Sequence, residues 1–564
     1  MKKGSFFSAI HSLFEFLAYL IALWNIIILF FEPIVGYYMN ISSAQNWTAV
    51  SNILFLLFTI IFRFISSPLV MHKGQSIADL VLLSAGTVLF MLDPKFLIFF
   101  MLIRQTYFII RYLFFRAFEG ALSKKMLRNP PVTFMVSFAI TILVGTFLLM
   151  LPSSTNKHII TPFIDALFTA TSATCVTGLT VVDTGTHYSL FGQLVILFLI
   201  QVGGLGIMTI STAFAVLLGQ KLTLKVENVM QNVVGESMRF DMLALIKNIL
   251  IVTFVLEAIG SAFLFLTFIK IFQPIKALYY AIFHSISAFC NAGFGLYPDN
   301  LMQFKFNFNV SMTVTLLIIF GGLGFSVIVD LWRHITNSKR RLSLSLHTKI
   351  VVYTTLFLLV FGTVAFFISE FNNTMKDFTI PQRLITSWFQ SVTCRTAGFN
   401  TIDESQITPA TSLFSMILMF IGASPGSTGG GVKTSTFALL LLSILTLVKG
   451  QNDLSIFKRK INPNSVRESV SLITVSVVLI FIIVFTMLII DTFSLEKTMF
   501  EAISAFGTVG LSMGITPDLS SISKFLITLL MYIGRVGPLT MLFAFSQRRK
   551  VLHFTYAEEK ISIG

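Results

Sequence analysis

Four short strings carry the most suggestive chemistry in the chain: Thr177-Gly178-Leu179, Ala292-Gly293-Phe294, Ala397-Gly398-Phe399 and Val509-Gly510-Leu511. The turns around them, Thr174–Leu179, Phe289–Phe294, Cys394–Phe399 and Phe506–Leu511, contain no carboxylate. What they offer is backbone carbonyls. Glycine reaches the angles of an unusual extended turn without steric cost. Rings of carbonyls can replace the water shell of a dehydrated cation. Such sites suit K+ better than a strongly hydrated divalent ion, which wants carboxylates. The residues expected to line this site are Thr174, Cys175, Val176, Thr177 and Gly178; Cys290, Asn291, Ala292 and Gly293; Arg395, Thr396, Ala397 and Gly398; and Gly507, Thr508, Val509 and Gly510.

Positioning these turns requires a repeat. The four glycines recur about every 105 to 115 residues, a period that marks repeated architecture. Ten residues before each stands an aromatic: Phe168, Phe283, Trp388 and Phe500. Roughly 25 residues after each stands a second glycine: Gly203, Gly321, Gly422 and Gly534. An aspartate follows within about eight residues: Asp183, Asp299, Asp403 and Asp518. These acids would concentrate cations at an outer mouth, or are ordinary loop acids. The apolar segment before each glycine is roughly 12 residues, too short to cross about 30 Å of hydrocarbon. A helix that enters and returns is tolerated where it is buried in protein or lines a cavity. Each repeat therefore reads as helix, re-entrant helix, extended turn and a second long helix. The C-terminal ends of the four short helices would bring partial negative charge to one axis.

Composition sets the medium. The chain has 564 residues, 55% hydrophobic and only 12% charged. Soluble chains carry roughly 25% charged residues, so a soluble enzyme is excluded. The net charge of +15 does not form a basic domain, which argues against a nucleic-acid binder. Basic residues fall between repeats, as in Lys339, Arg340 and Arg341, Lys458 to Lys460, and Arg548 to Lys550. The positive-inside rule puts that side in the cytoplasm. The expected fold is an all-α polytopic membrane protein with four membrane–pore–membrane repeats around a central filter and an N-terminal four-helix block. The block is expected over 1–128 and the repeats over 129–216, 217–331, 332–450 and 451–564, with both termini cytoplasmic. The start of the chain resembles a signal peptide, but its apolar run is long enough to span. The three cysteines, Cys175, Cys290 and Cys394, lack the close spacing of a zinc or redox site and read as small packing residues beside the turns.

Several strings in order resemble the Trk/Ktr/HKT superfamily of K+ transporters, with the last most like its TrkH and KtrB membrane subunits: Ala173-Thr-Cys-Val-Thr-Gly-Leu179, Gln201-Val-Gly-Gly-Leu-Gly206, Asn291-Ala-Gly-Phe294, Arg395-Thr-Ala-Gly-Phe399 and Gly422-Ala-Ser-Pro-Gly-Ser-Thr-Gly-Gly-Gly-Val-Lys433. The resemblance covers about residues 130–550. It implies K+ uptake by a homodimer in the cytoplasmic (inner) membrane, with a cytosolic nucleotide-binding regulatory subunit and no cofactor. Channel-like flux and coupling to Na+ or H+ both stay open at this point. Glycine at all four filter positions, Gly178 included, implies K+ preference; a Na+ or less selective monovalent-cation pathway is the alternative.

The third repeat departs from the others. Its apolar region runs from Pro409 to Val448, nearly twice a straight span, and is interrupted by a Gly/Ser/Pro-rich run. The resemblance implies a gating loop here, drawing in Gly422, Ser424, Gly426, Gly429, Gly430, Gly431 and Lys433. It also implies that Arg535 faces the pathway below the filter; a buried membrane cation is costly and usually functional. Gly422-Ala-Ser424-Pro-Gly426 also fits a nucleophile elbow, which needs a strand, a helix and a histidine partner. A serine hydrolase is thus a remote alternative. Gly426 to Thr434 is a near miss for a phosphate loop, and no strand precedes it. In the N-terminal block, Arg104, Arg111 and Arg116 are too sparse for a voltage sensor's every-third-residue pattern; packing or assembly is the main reading.

Overall fold

A computed structural model describes residues 130–206, 242–336, 344–451, 453–538 and 540–541. The N-terminal block with Arg104, Arg111 and Arg116, the basic run at Lys339, and the tail from Arg548 lie outside the described residues. The regular structure of the described chain is helical apart from a hairpin of two two-residue strands, Ser455–Ile456 against Arg459–Lys460.

In chain order the helices are α1 (Pro130–Met150), α2 (Phe163–Thr174), α3 (Leu190–Leu205), α4 (Met242–Phe268), α5 (Pro274–Phe289), α6 (Phe308–Leu323) and α7 (Phe325–Thr336). They continue as α8 (Leu346–Ser369), α9 (Ile380–Thr393), α10 (Pro409–Phe420), α11 (Thr434–Val448), α12 (Pro463–Ile490), α13 (Leu495–Gly507) and α14 (Ser521–Val536). A helix, a short helix, a turn and a further helix recur four times. The starts follow from capping chemistry. Proline occupies the first turn of α5, α9, α10 and α12, where its missing N–H costs nothing. Ser345, Ser494 and Ser520 accept backbone N–H groups at the starts of α8, α13 and α14.

Residues 247–268 of α4, together with α8 and α12, are long and apolar enough to cross a membrane. Their outer faces expose Phe254, Phe263, Phe357, Phe361, Phe481 and Phe485. That much uncovered aromatic surface needs a non-aqueous surrounding. The C-terminal parts of the short helices α2, α5, α9 and α13 are buried, while Phe163, Ile275, Ile380 and Leu495 at their starts are exposed. Even α5, with 16 residues, is about 24 Å long.

Two expectations are corrected here. The second helices are not long spans: α3, α6 and α14 have 16 residues each. They stop at Gly206, Gly324 and Gly537, whose φ values are +81°, +93° and +91°. A left-handed residue closes a helix because the next turn cannot continue. After Gly324 the chain bends by 100° into α7. In the third unit the break is larger, with 421–433 irregular between α10 and α11.

The second correction is one of register. Phe168, Phe283 and Phe500 are fully buried, as the spacing predicts. In α9 the fully buried aromatic is Phe389 instead of Trp388. Trp388 sits at the edge and donates to Thr315 Oγ1 at 3.3 Å. The third short helix is therefore one residue closer to its glycine than the others. A one-residue slip turns a helix by about 100°, enough to exchange an inward for a sideways position.

Candidate functional site: a ring of four glycine turns

The short helices deliver their C-terminal ends to four turns with a shared backbone pattern. Gly178, Gly293, Gly398 and Gly510 have φ of +96°, +70°, +74° and +96°. Two residues earlier, Val176, Asn291, Thr396 and Thr508 are also left-handed, at +59°, +60°, +70° and +51°. Glycine takes this conformation freely; a β-branched residue there is a true outlier. In an extended chain successive groups alternate sides. Left-handed residues at every second position undo that alternation for the carbonyls.

Such strain persists only where the surroundings over-determine it. Thr177, Ala292 and Val509 donate their N–H to the carbonyls of Ser172, Ser287 and Ser504 at 2.8, 2.7 and 2.8 Å. Ala397 donates to Thr393 at 3.0 Å. Ser172 and Ser504 also accept, through Oγ, from the N–H of Gly178 and Gly510 at 3.0 and 3.1 Å. Ser287 and Thr393 instead donate to the carbonyls of Phe294 and Phe399.

The turns close on one another. A Cβ placed on Gly178 would meet the carbonyl oxygen of Ala292; on Gly293, that of Ala397; on Gly398, that of Val509; and on Gly510, that of Thr177. The same virtual atoms would lie 3.0, 3.0, 3.1 and 2.9 Å from the next glycine's Cα. The contacts run from first turn to second, third, fourth and back to first, which is a closed ring. Thr177, Ala292, Ala397 and Val509 are fully buried. No described residue donates a hydrogen bond to their carbonyls.

Behind the ring, glycines permit close packing. A Cβ on Gly203, Gly321 or Gly534 would strike the carbonyl of Thr174, Phe289 or Phe506, the last residues or last turns of α2, α5 and α13. Gly422 has a different neighbour, the carbonyl of Gly430 within its own loop.

That loop packs under the turns. Ile421 and Val432 form a parallel bridge. Gly430 N donates to Thr508 Oγ1 at 2.9 Å, and Gly431 N to the Gly534 carbonyl at 3.2 Å. Ser424 N and Thr428 N donate to the carbonyls of Gly322 and Gly321. Gly429 leaves room for the Thr396 side chain, and Gly426 accepts from Phe325 N. Lys433 Nζ turns back to the Gly429 carbonyl at 2.6 Å. Arg535, near the end of α14, donates to the carbonyls of Thr428 and Gly203.

Not every expected residue points to the ring. Arg395, buried with Nε unpartnered, lines a small cavity behind the turn with Ile318, Thr355, Leu359 and Ala423. The Asn291 amide lies 3.1 Å from Thr396 Oγ1, so it joins two turns sideways. Gly507 ends α13 against the Met419 carbonyl. Cys175, Cys290 and Cys394 are free and buried. Cys290 Sγ lies 3.8 Å from Gln201 Oε1. Among the four aspartates, Asp183 and Asp403 cap short helical turns through Thr186 N and Ser405 N, while Asp299 and Asp518 are exposed. Ser424 Oγ accepts from Thr434 Oγ1 at 3.0 Å, in a loop between two helices without the strand of a nucleophile elbow.

Sequence reasoning missed a set of buried braces. Each joins a short helix to the chain returning from its turn: Thr169 to Tyr188 OH at 3.3 Å, His284 Nε2 to Leu296 N at 3.3 Å, Gln390 to Glu404, and Glu501 to Ser512 and Thr516. The signal was present: a polar residue stands nine positions before each glycine, or eight in the slipped third unit. Glu257 of α4 is likewise buried and accepts from Gln201 Nε2 at 3.1 Å.

A family model described as TrkH, a cation transport protein, matches residues 104–551. The chain belongs to the TrkH family. This TrkH-family chain is 40% identical over 421 residues to Ktr system potassium uptake protein B of Bacillus subtilis (strain 168), covering 74% of this chain and 93% of that one. It is 40% identical over 443 residues to the potassium/sodium uptake protein NtpJ of Enterococcus hirae, covering 77% and 97%. The crystal structure of the potassium transporter TrkH from Vibrio parahaemolyticus has a TM-score of 0.61 at 16% identity, covering 90% of this chain and 99% of that one. That likeness establishes the TrkH fold. The TrkH family is one of membrane transporters, not enzymes.

Proposed function

We propose that this chain carries K+ across the cytoplasmic membrane through the ring of Gly178, Gly293, Gly398 and Gly510. The observation that carries the reading is the set of four buried carbonyls without donors. A buried acceptor without a partner is costly, and a dehydrated monovalent cation is a partner that fits an uncharged ring. The relatives' potassium-uptake names support the choice of ion. The segment 421–433 lies under the turns and is tied to α14 by Arg535. We read it as the gate, with Arg535 both as its latch and as a positive barrier to K+. The exposed Asp299 and Asp518, with Asp183 and Asp403, stand on the side of the returns and would form the outer mouth. The repeat layout, a homodimer, cytoplasmic termini and a cytosolic nucleotide-binding regulator belong to the same proposal.

The test is growth of a bacterium lacking K+ uptake, with the full chain and its regulator expressed, at limiting K+. Restored growth is expected. No growth with the protein present in the membrane would count against the reading. The name of the Enterococcus relative also favours measuring Na+. Equal K+ and Na+ flux in vesicles would support the less selective alternative.

A further inference from the structure

The brace of the third turn differs from its counterparts in what it lacks. Gln390, on the last turns of α9, precedes the turn; Glu404, in the return, follows it. Gln390 Nε2 donates to Glu404 Oε1. Both side chains are buried, with exposures of 0% and 2%. Yet Gln390 Oε1 and Glu404 Oε2 have no hydrogen-bond partner. Both are acceptors, so neither can satisfy the other while the carboxylate is ionised. In the fourth unit the brace carboxylate is Glu501, on α13 where Gln390 stands on α9, and both its oxygens are served, one by Ser512 Oγ at 2.8 Å and the other by Thr516 Oγ1. Glu501 has a donor on each oxygen; Glu404 has one on Oε1 and none on Oε2.

We propose that Glu404 holds a proton on Oε2 and donates it to Gln390 Oε1, closing a two-bond acid–amide pair that braces the third turn. One proton taken from the outer solution converts the carboxylate to the acid and supplies the single donor that both oxygens lack. A metal cation is the poorer occupant, because the Gln390 N–H group already points at the carboxylate. The neighbours reinforce this choice. On its own element Glu404 faces Asp403, from the end of α8 it faces Glu370, and Cys394 of the turn feels its charge. No cation is among these groups. Burial raises the carboxyl most, and although the Gln390 bond lowers it, the two acids add to the rise, giving about 8. Exposed Asp403, one residue away, gives the proton a route to water.

The role rests on the ring reading above. With the proton, Gln390 and Glu404 clasp both arms of the turn around Gly398. Without it, a buried charge faces an amide oxygen, and the arms part. K+ preference is therefore expected to fall as outer pH rises.

Wild type and Glu404→Gln are compared in bilayers. The glutamine carries an NH2 where the acid carries its O–H, so it copies the protonated form at every pH. Infrared difference spectra are expected to show a protonated-carboxyl band that titrates in wild type and is missing in the variant. The K+ over Na+ flux ratio of wild type is expected to drop as outer pH goes from about 6 to about 9.5, a range over which the ionised-to-protonated ratio changes more than a hundredfold. The variant should stay at the low-pH value. Glu404→Asp, one methylene shorter, should keep the band and move its midpoint. Identical wild-type and glutamine-variant spectra would overturn the site. A band that behaves as expected beside a pH-independent wild-type ratio would overturn its role in the turn. Failure of the ring reading would look different: K+ and Na+ would pass equally in both proteins at every pH.

Discussion

Arg535 donates a hydrogen bond to the carbonyl of Thr428, so α14 holds the broken segment of the third unit across 107 residues of sequence. Its second bond, to the Gly203 carbonyl, reaches the first unit. A cation inside a membrane is costly unless something draws it there, and these backbone oxygens supply the attraction.

Replacing Arg535 by alanine removes both bonds. Hydrogen bonds to a charged group contribute about 1.5–3 kcal/mol each. Losing even one increment of that size shifts a closed-to-open balance roughly tenfold or more. K+ flux in vesicles should rise by about that factor, with the protein still folded. Unchanged flux and unchanged regulation would remove the latch.

Two glycines in the fourth unit separate ring contact from backbone angle. Gly510 and Gly514 both have positive φ, +96° and +87°. A methyl at Gly510 would strike the Thr177 carbonyl, whereas a methyl at Gly514 has nothing within 4 Å. Gly514→Ala should cost roughly 1 kcal/mol of stability and leave ion preference alone. Gly510→Ala should lower the K+ over Na+ ratio at least about tenfold, since about 1.4 kcal/mol suffices for that. Equal effects of the two substitutions on selectivity would contradict the ring.

Asp165 of α2 and Lys524 of α14 form an ion pair at 2.9 Å, with side-chain exposures of 17% and 11%. The pair joins the first and last units and helps close the assembly. Removing one partner of a buried pair costs about 3–5 kcal/mol; slight exposure puts this one at or below the lower end. Asp165→Asn should melt well below wild type in detergent, and adding Lys524→Met should recover much of the loss. A double variant as unstable as the sum of the singles would mean that the two charges act independently.

Glu370 predicts acid sensitivity. Burial raises its carboxyl, but bonds from Thr411, Thr408 N, Asn373 and Thr374 outweigh that and hold it below the ordinary range. A depressed folded-state value means the stabilisation is present above the unfolded value, near about 4.3, and is lost as pH falls through the folded one. The melting temperature should therefore drop on acidification. Glu370→Gln should flatten that drop while lowering stability at neutral pH. A variant with the wild-type acid profile would assign the sensitivity elsewhere.

The two acids thus run in opposite directions. Glu370 has donors enough to favour its charge, whereas Glu404 has one amide and two acidic neighbours. Nothing in their residue type distinguishes them. The glycine turns were legible because they depend on local features: a short apolar run, a residue free to take positive φ, and a period. The left-handed Val176, Asn291, Thr396 and Thr508 were not, because their angles are imposed by the surrounding bonds and not favoured by the residues themselves.

By itself the sequence determined the medium, the four turns and the break in the third unit, since span length, charge and glycine placement act over a few residues. Only the tertiary structure decided which carbonyl meets which glycine, that Phe389 takes the place expected of Trp388, and where Arg535 ends. Those outcomes depend on packing between segments a hundred or more residues apart, and no short-range pattern carries that information.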